Sequence, residues 1–189
     1  RNDQRAASSE VLLKALAGKA KPKRLGVEFS TSSPHLTHAL GGQLVDIEPE
    51  IFCLRRIKDA DELALLKKAI AGTGAMYRRA REIIRPGINE LEVFNELQAA
   101  AANEFGEMLT GTGNDYASGE RGGPPRNRQA QAGELYLLDL GPAFLGYFAD
   151  NCRAISVDGK PTDAQLRCCE HVRKVFDIVQ RMVKPGVRC

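Results

Sequence analysis

The sequence predicts an α+β fold, and three observations carry that expectation. Two long segments, Asp59 to Ile84 and Thr162 to Val183, place apolar residues at helical spacing. The run from Leu135 to Val157 reads instead as two strands joined by a turn that carries Pro142 and Gly146. A shorter strand–helix–strand unit of α/β type lies ahead of both, between Leu25 and Ile47. The expected division is at residue 50, with 1–50 and 51–189 as separate domains.

Taken in order, Ser9 to Leu16 predicts a helix, followed by a basic linker with Lys19, Lys21, Lys23 and Arg24. Leu25 to Phe29 predicts a strand. Ser33-Pro34 offers an N-cap and a proline at the first helical position, opening a helix to Leu40 that Gly41-Gly42 ends. His35 and His38 lie on it with no third ligand nearby, so they read as surface residues. Leu44 to Ile47 predicts a strand and Glu48-Pro49-Glu50 a link. The long helix from Asp59 starts with a capping-box variant completed by Glu62. Its apolar positions are Leu63, Leu66, Ile70, Met76 and Ala80, and Pro86-Gly87 stops it. Asn89 to Glu92 repeats the capping pattern and opens a helix with Val93, Leu97 and Ala101 on one side. The glycine-rich connection from Gly111 to Gly123 lacks the spacing of a phosphate loop. Thr162, with Gln165 three residues on, caps a last helix striped by Leu166, Cys169, Val172, Phe176, Val179 and Val183. One echo stands out: Ile84-Arg85-Pro86-Gly87-Ile88 recurs as Val183-Lys184-Pro185-Gly186-Val187, an offset of 99 residues.

Composition excludes several classes. The net charge of +3, from 27 basic and 24 acidic residues, is too small to argue for nucleic acid. No apolar run reaches the length of a membrane span, and no signal-peptide pattern is present. Five cysteines, odd in number and without a Cys-x-x-Cys pair, point to reduced thiols in a cytoplasm. The chain begins with Arg1 and stops just after a turn signal, which suggests a piece of a longer protein.

Two carboxylates, Asp139 and Asp150, sit inside the apolar hairpin. With the loop centred between Phe144 and Leu145, they would face each other directly, Cβ atoms about 4.5–5.5 Å apart. Like charges at about 4 Å cost on the order of 4 kcal/mol at an effective dielectric near 20. A protonated carboxyl, a paired cation or a bridging divalent metal would relieve that cost. A bulge or a different register that sends one Asp to solvent would do so equally well.

Three blocks together resemble the pita-bread metallopeptidases, which include aminopeptidase P, prolidase and methionine aminopeptidase, with creatinase as a relative of the same fold. They are Leu54 to Glu62, with its Arg56-Ile57-Lys58; Arg85 to Val93, around Pro86-Gly87; and the hairpin block Leu138-Asp139-Leu140-Gly141 with Gly146 to Arg153. The resemblance implies the N-terminal half of a pita-bread catalytic domain. Residues 1–50 would be the end of the N-terminal domain of the aminopeptidase P, prolidase and creatinase branch. It also implies two divalent metals, with Asp139 and Asp150 as ligands and Asp150 bridging. The other ligands, and a Glu acting as base, would lie beyond Cys189. Oxygen ligation suits Mn²⁺, with Co²⁺ and Zn²⁺ as the other candidates. The implied chemistry is hydrolysis of an Xaa-Pro or similar amide by metal-activated water, on a peptide or small amide substrate, by a protein of a family that often dimerises. This sequence departs from the pattern at Cys152, where Thr is usual, at Ala154, and in having no His between Thr110 and Asp139. Those departures leave open a non-peptidase C–N hydrolase or a non-catalytic binding module of the same fold.

Overall fold

The computed structural model describes residues 3–17 and 23–188, so Lys19 and Lys21 of the basic linker lie outside the described residues. The chain falls into two compact units, Arg1–Asp59 and Ala60–Cys189.

In the first unit, α1 (Gln4–Leu16) is capped by Asp3, whose carboxylate accepts the Arg5 N–H at 3.1 Å. Strands β1 (Arg24–Val27) and β2 (Gln43–Asp46) run parallel, with α2 (Pro34–Leu40) as the crossover. The structure places Pro34 in the first turn of α2 and gives Gly41, just past its end, a φ of 66°. Both histidines of α2 are exposed. The expected link at Glu48 is a helix, α3 (Glu48–Arg55), with Pro49 in its first turn beside Glu48 and Glu50. Those are helix-start residues, since proline needs no N–H there and acids favour the positive end of the dipole.

In the second unit, α4 (Ala60–Ile83) and α5 (Glu90–Phe105) pack together, joined by the Pro86-Gly87 turn. The buried face of α4 is Ala69, Gly72, Thr73, Met76, Tyr77, Ala80 and Ile83. Leu63 and Ile70, expected inside, are 47% and 61% exposed. The contact face is set by small residues: a Cβ on Gly72 would come within 2.3 Å of the Phe105 ring, so only glycine lets that ring pack there. Asn89 caps α5, accepting the Leu91 N–H at 2.9 Å, and Val93, Leu97 and Ala101 are buried as their spacing predicts.

Three antiparallel strands lie against these helices. Strand β3 (Asp115–Ser118) precedes β4 (Leu135–Leu140). The short β5 (Ala143–Phe144) and β6 (Tyr147–Phe148) follow, then β7 (Asn151–Ser156), giving the order β3-β4-β7. Burial alternates along β4: Tyr136, Leu138 and Leu140 join the core with Met76, Val93 and Leu97, while Leu137 and Asp139 lie on the other face. The hairpin turn is Leu145-Gly146, with φ of 49° and 83°. Positive φ at both central residues marks the turn class whose twist matches a two-residue hairpin.

The last helix, α6 (Asp163–Met182), has the expected capping box: Thr162 Oγ1 accepts the Gln165 N–H at 3.2 Å, and Gln165 Oε1 accepts the Thr162 N–H at 2.8 Å. None of its residues is buried, and Val172, Phe176 and Val179 stand exposed. The 99-residue echo is structural as well. Ile88 N–H donates to Arg85 O at 3.2 Å and Val187 N–H to Lys184 O at 3.1 Å, with Gly87 and Gly186 at φ of 87° and 88°. Both are proline-glycine turns of the same kind. Among the described residues, no helix is long and apolar enough to cross a membrane.

Candidate metal centre

Asp139 and Asp150 do come together, though in a different register from the one expected. Strand β4 pairs with β7 so that Asp139 lies opposite Cys152, and β5 and β6 continue the same register through Ala143 opposite Phe148. The loop is therefore centred one residue later than expected, between Leu145 and Gly146. The cause is Leu145, which takes a left-handed conformation that sequence reasoning reserves for glycine. Asp150 falls opposite Gly141, and the two acids become diagonal neighbours on one face, a relation that typically spans about 7–8 Å. They are close enough to feel each other. The Asp139 carboxyl is held above its ordinary range first by burial, then by the charges of Asp150 and Asp115.

Asp115 is the member that sequence reasoning missed. It pairs with Asp139 across β3–β4, so three carboxylates share one sheet face. Its strand is only four residues long and lies in a stretch that reads as a glycine-rich connection. Tyr116 is the one strong strand former there, too little for sequence reasoning to mark a strand, although Tyr116, Ala117 and Ser118 are all buried. Asp115 itself accepts the Gly123 N–H at 2.7 Å, which ties one of its oxygens to the glycine loop. Neither Asp139 nor Asp150 has a side-chain hydrogen bond or an ion pair among the described residues. Arg153, the nearest cation in sequence, turns its guanidinium to Cys152 O at 2.7 Å.

While the side chain of Asp139 is unpartnered, its backbone is gripped. Asn114 N–H donates to Asp139 O at 3.1 Å. Gly113 lies so close that a Cβ there would sit 1.9 Å from the same oxygen and 2.5 Å from the Gly141 nitrogen. From α4, the Tyr77 hydroxyl lies 3.0 Å from Leu138 O and 2.7 Å from Asn151 O, the carbonyls just before Asp139 and just after Asp150. Burial, then Cys152 and Asp139, push the Tyr77 phenol above its ordinary range, so it remains a donor.

A second carboxylate site lies at the start of α5. Glu90 is 0% exposed, yet every lone-pair direction is answered. Its Oε1 accepts Ser118 N–H at 2.9 Å, Ser118 Oγ–H at 2.9 Å and Arg126 Nη2–H at 2.7 Å. Oε2 accepts the Arg126 backbone N–H and Nε–H, both at 2.9 Å. Burial alone would raise the Glu90 carboxyl, but Arg126 and these N–H groups hold it at about 2. Arg128 bonds Ser118 Oγ at 2.7 Å and pairs with Glu134, whose carboxyl it lowers. This network ties the loop between β3 and β4 to the start of α5, with the Glu90 carboxylate satisfied by protein groups.

Chemically, Asp115, Asp139 and Asp150 bring carboxylate oxygens together under mutual repulsion, with the Cys152 thiol across from Asp139 and no cation paired to Asp139 or Asp150 among the described residues. That fits a hard divalent ion. Two or three carboxylates do not close a coordination sphere, and among the described residues no three His, Cys, Asp or Glu side chains gather closely enough to hold a metal by themselves.

Comparison with known proteins extends these observations. The family model for metallopeptidase family M24 matches residues 64–189. An uncharacterized peptidase of Bacillus subtilis, YqhT, is 30% identical over 179 residues, covering 87% of this chain and 49% of the relative. The Xaa-Pro aminopeptidase of Escherichia coli is 29% identical over 147 residues, covering 76% of this chain and 33% of the relative. The chain thus spans half or less of the length of these curated relatives. Among solved structures, the X-Pro aminopeptidase of Thermotoga maritima superimposes with a TM-score of 0.80 at 23% identity, covering 99% of this chain and 55% of that one. The prolidase of Pyrococcus horikoshii does so with a TM-score of 0.77 at 25% identity, covering 95% and 52%.

Proposed function

We propose, from the premise that the chain belongs to metallopeptidase family M24 and has the pita-bread fold of aminopeptidase P and prolidase, that the whole protein is a divalent-metal hydrolase cleaving an amide bond next to proline. The observation that carries this reading is the unpaired acidic row. Asp139, raised by burial and by Asp150, has no lysine or arginine paired to it among the described residues. Asp139 and Asp150 would hold the metals, with Asp150 as the bridging ligand and Mn²⁺ the first choice over Co²⁺ and Zn²⁺. When bound, such ions activate water and polarise a scissile carbonyl. This chain's own contribution is to hold the carboxylates on one face of a fixed hairpin. The remaining ligands and a general base would come from outside these residues.

The test is release of the N-terminal residue from Xaa-Pro peptides by the full-length protein with added Mn²⁺. Activity that is lost on chelation and restored by metal is expected. No turnover with Mn²⁺, Co²⁺ or Zn²⁺ on any Xaa-Pro peptide would sink the reading. One observation favours a second reading, a non-peptidase C–N hydrolase or a non-catalytic module: Cys152 and Ala154 occupy the hairpin where the family pattern has other residues. Metal binding without peptide turnover would select it. The free, exposed thiols of Cys53, Cys152, Cys168 and Cys169 favour a reducing compartment such as the cytoplasm.

A further inference from the structure

We infer that Tyr77 is a positioning residue for the metal carboxylates, acting through the main chain of the hairpin rather than by touching a metal. The inference rests on the proposed metal reading of Asp139 and Asp150. Tyr77 stands on the buried face of α4 and is 9% exposed. Its hydroxyl reaches Leu138 O at 3.0 Å and Asn151 O at 2.7 Å. Those two carbonyls belong to different strands and immediately flank the two acids. A phenol has one proton, so the hydroxyl alternates between two acceptors instead of holding one. Each carbonyl has two lone pairs, so a ladder bond and the Tyr77 bond are compatible.

The consequence follows from where this contact sits. The ladder of β4 and β7 ends at Leu140 opposite Asn151, so Asp150 lies just past it. Tyr77 bridges the ribbon at that end from the helix side, while the carboxylates project from the other face. It fixes the spacing of the two acids against the repulsion between them. A ligand pair held near its final geometry binds more tightly, and partners one step removed from the ligands typically change metal affinity by tenfold or more.

The experiment uses the full-length protein and the variant Tyr77→Phe, which keeps the ring and removes the hydroxyl. Ile88→Val, a trim of a core residue 2% exposed, serves as the control for general softening. Mn²⁺ affinity is read by calorimetry, and amide hydrogen exchange over residues 138–141 and 150–153 is read without metal. About tenfold weaker Mn²⁺ binding is expected in Tyr77→Phe, with Ile88→Val matching wild type. Exchange at those amides should be about fivefold faster in Tyr77→Phe alone. Equal affinity in Tyr77→Phe and wild type would overturn the inference, as would equal losses in both variants. A wild-type protein that binds no divalent ion would remove the metal reading itself, an outcome distinct from an intact site indifferent to Tyr77.

Discussion

Glu90 is wholly buried and Asp139 partly so, on the face of β4 turned away from the core, and the two carboxylates are opposites. Glu90 has five hydrogen bonds and a guanidinium, and its carboxyl is lowered to about 2. Asp139 has a tightly held backbone, an unpartnered side chain and two acidic neighbours, and its carboxyl is raised. Glu90, a buried structural charge, is satisfied inside the protein, whereas Asp139 is left unsatisfied on a rigid support, as the proposed metal role requires. The difference lies in what reaches the carboxylate oxygens, since in both cases the main chain nearby is well fixed.

The comparison breaks most visibly at Glu90. Glu90→Gln removes the buried counter-charge of Arg126, whose own side chain is 37% exposed, and should cost about 2–3 kcal/mol in chemical denaturation. The pH dependence has a definite sign. The folded Glu90 carboxyl lies near 2, below the unfolded value of 4.5, so its stabilisation is present above 4.5. It is lost as pH falls from 4.5 through 2, amounting to about 3 kcal/mol. Acid unfolding followed by circular dichroism should lose this component in the variant. An unchanged acid transition would contradict the assignment.

Gly113→Ala attacks the other side of the comparison, the backbone support. A methyl at 1.9 Å from Asp139 O cannot be accommodated without moving strand or loop, and about 1–3 kcal/mol of destabilisation is expected in a thermal melt. The smallest effect has the opposite direction. Asp139→Asn removes a charge that burial and two acidic neighbours disfavour, so the metal-free protein should gain about 0.5–1 kcal/mol at neutral pH. The sign follows from the raised carboxyl: its folded state favours the proton, so ionisation at neutral pH opposes folding. Loss of stability in Asp139→Asn would mean that the carboxylate has a partner after all.

Much of this was legible in local chemistry. The Thr162–Gln165 box, the Asn89 cap, both proline-glycine turns and the acidic hairpin each rest on residues a few positions apart, where sequence spacing is geometry. Glu90 read only as part of a capping pattern, because its partners Ser118 and Arg126 lie 28 and 36 residues away. Tyr77 read as one more helical position, because its acceptors are main-chain carbonyls 61 and 74 residues on, which no side-chain pattern announces. The hairpin register was off by two in its pairing because Leu145, not a glycine, opens the turn. The stripe on α6 was read correctly as a stripe, but periodicity does not say whether an apolar face is covered.

The approach of Gly113 to the Asp139 carbonyl has a consequence for substitutions nearby. Main chain set directly against main chain is a fixture that neighbouring side chains do not supply and so do not undo. On that side the main-chain position of Asp139 is set independently of the residue across the ladder, Cys152. An exchange at Cys152 should therefore alter the chemistry beside the carboxylate while leaving the Asp139 main chain on its support.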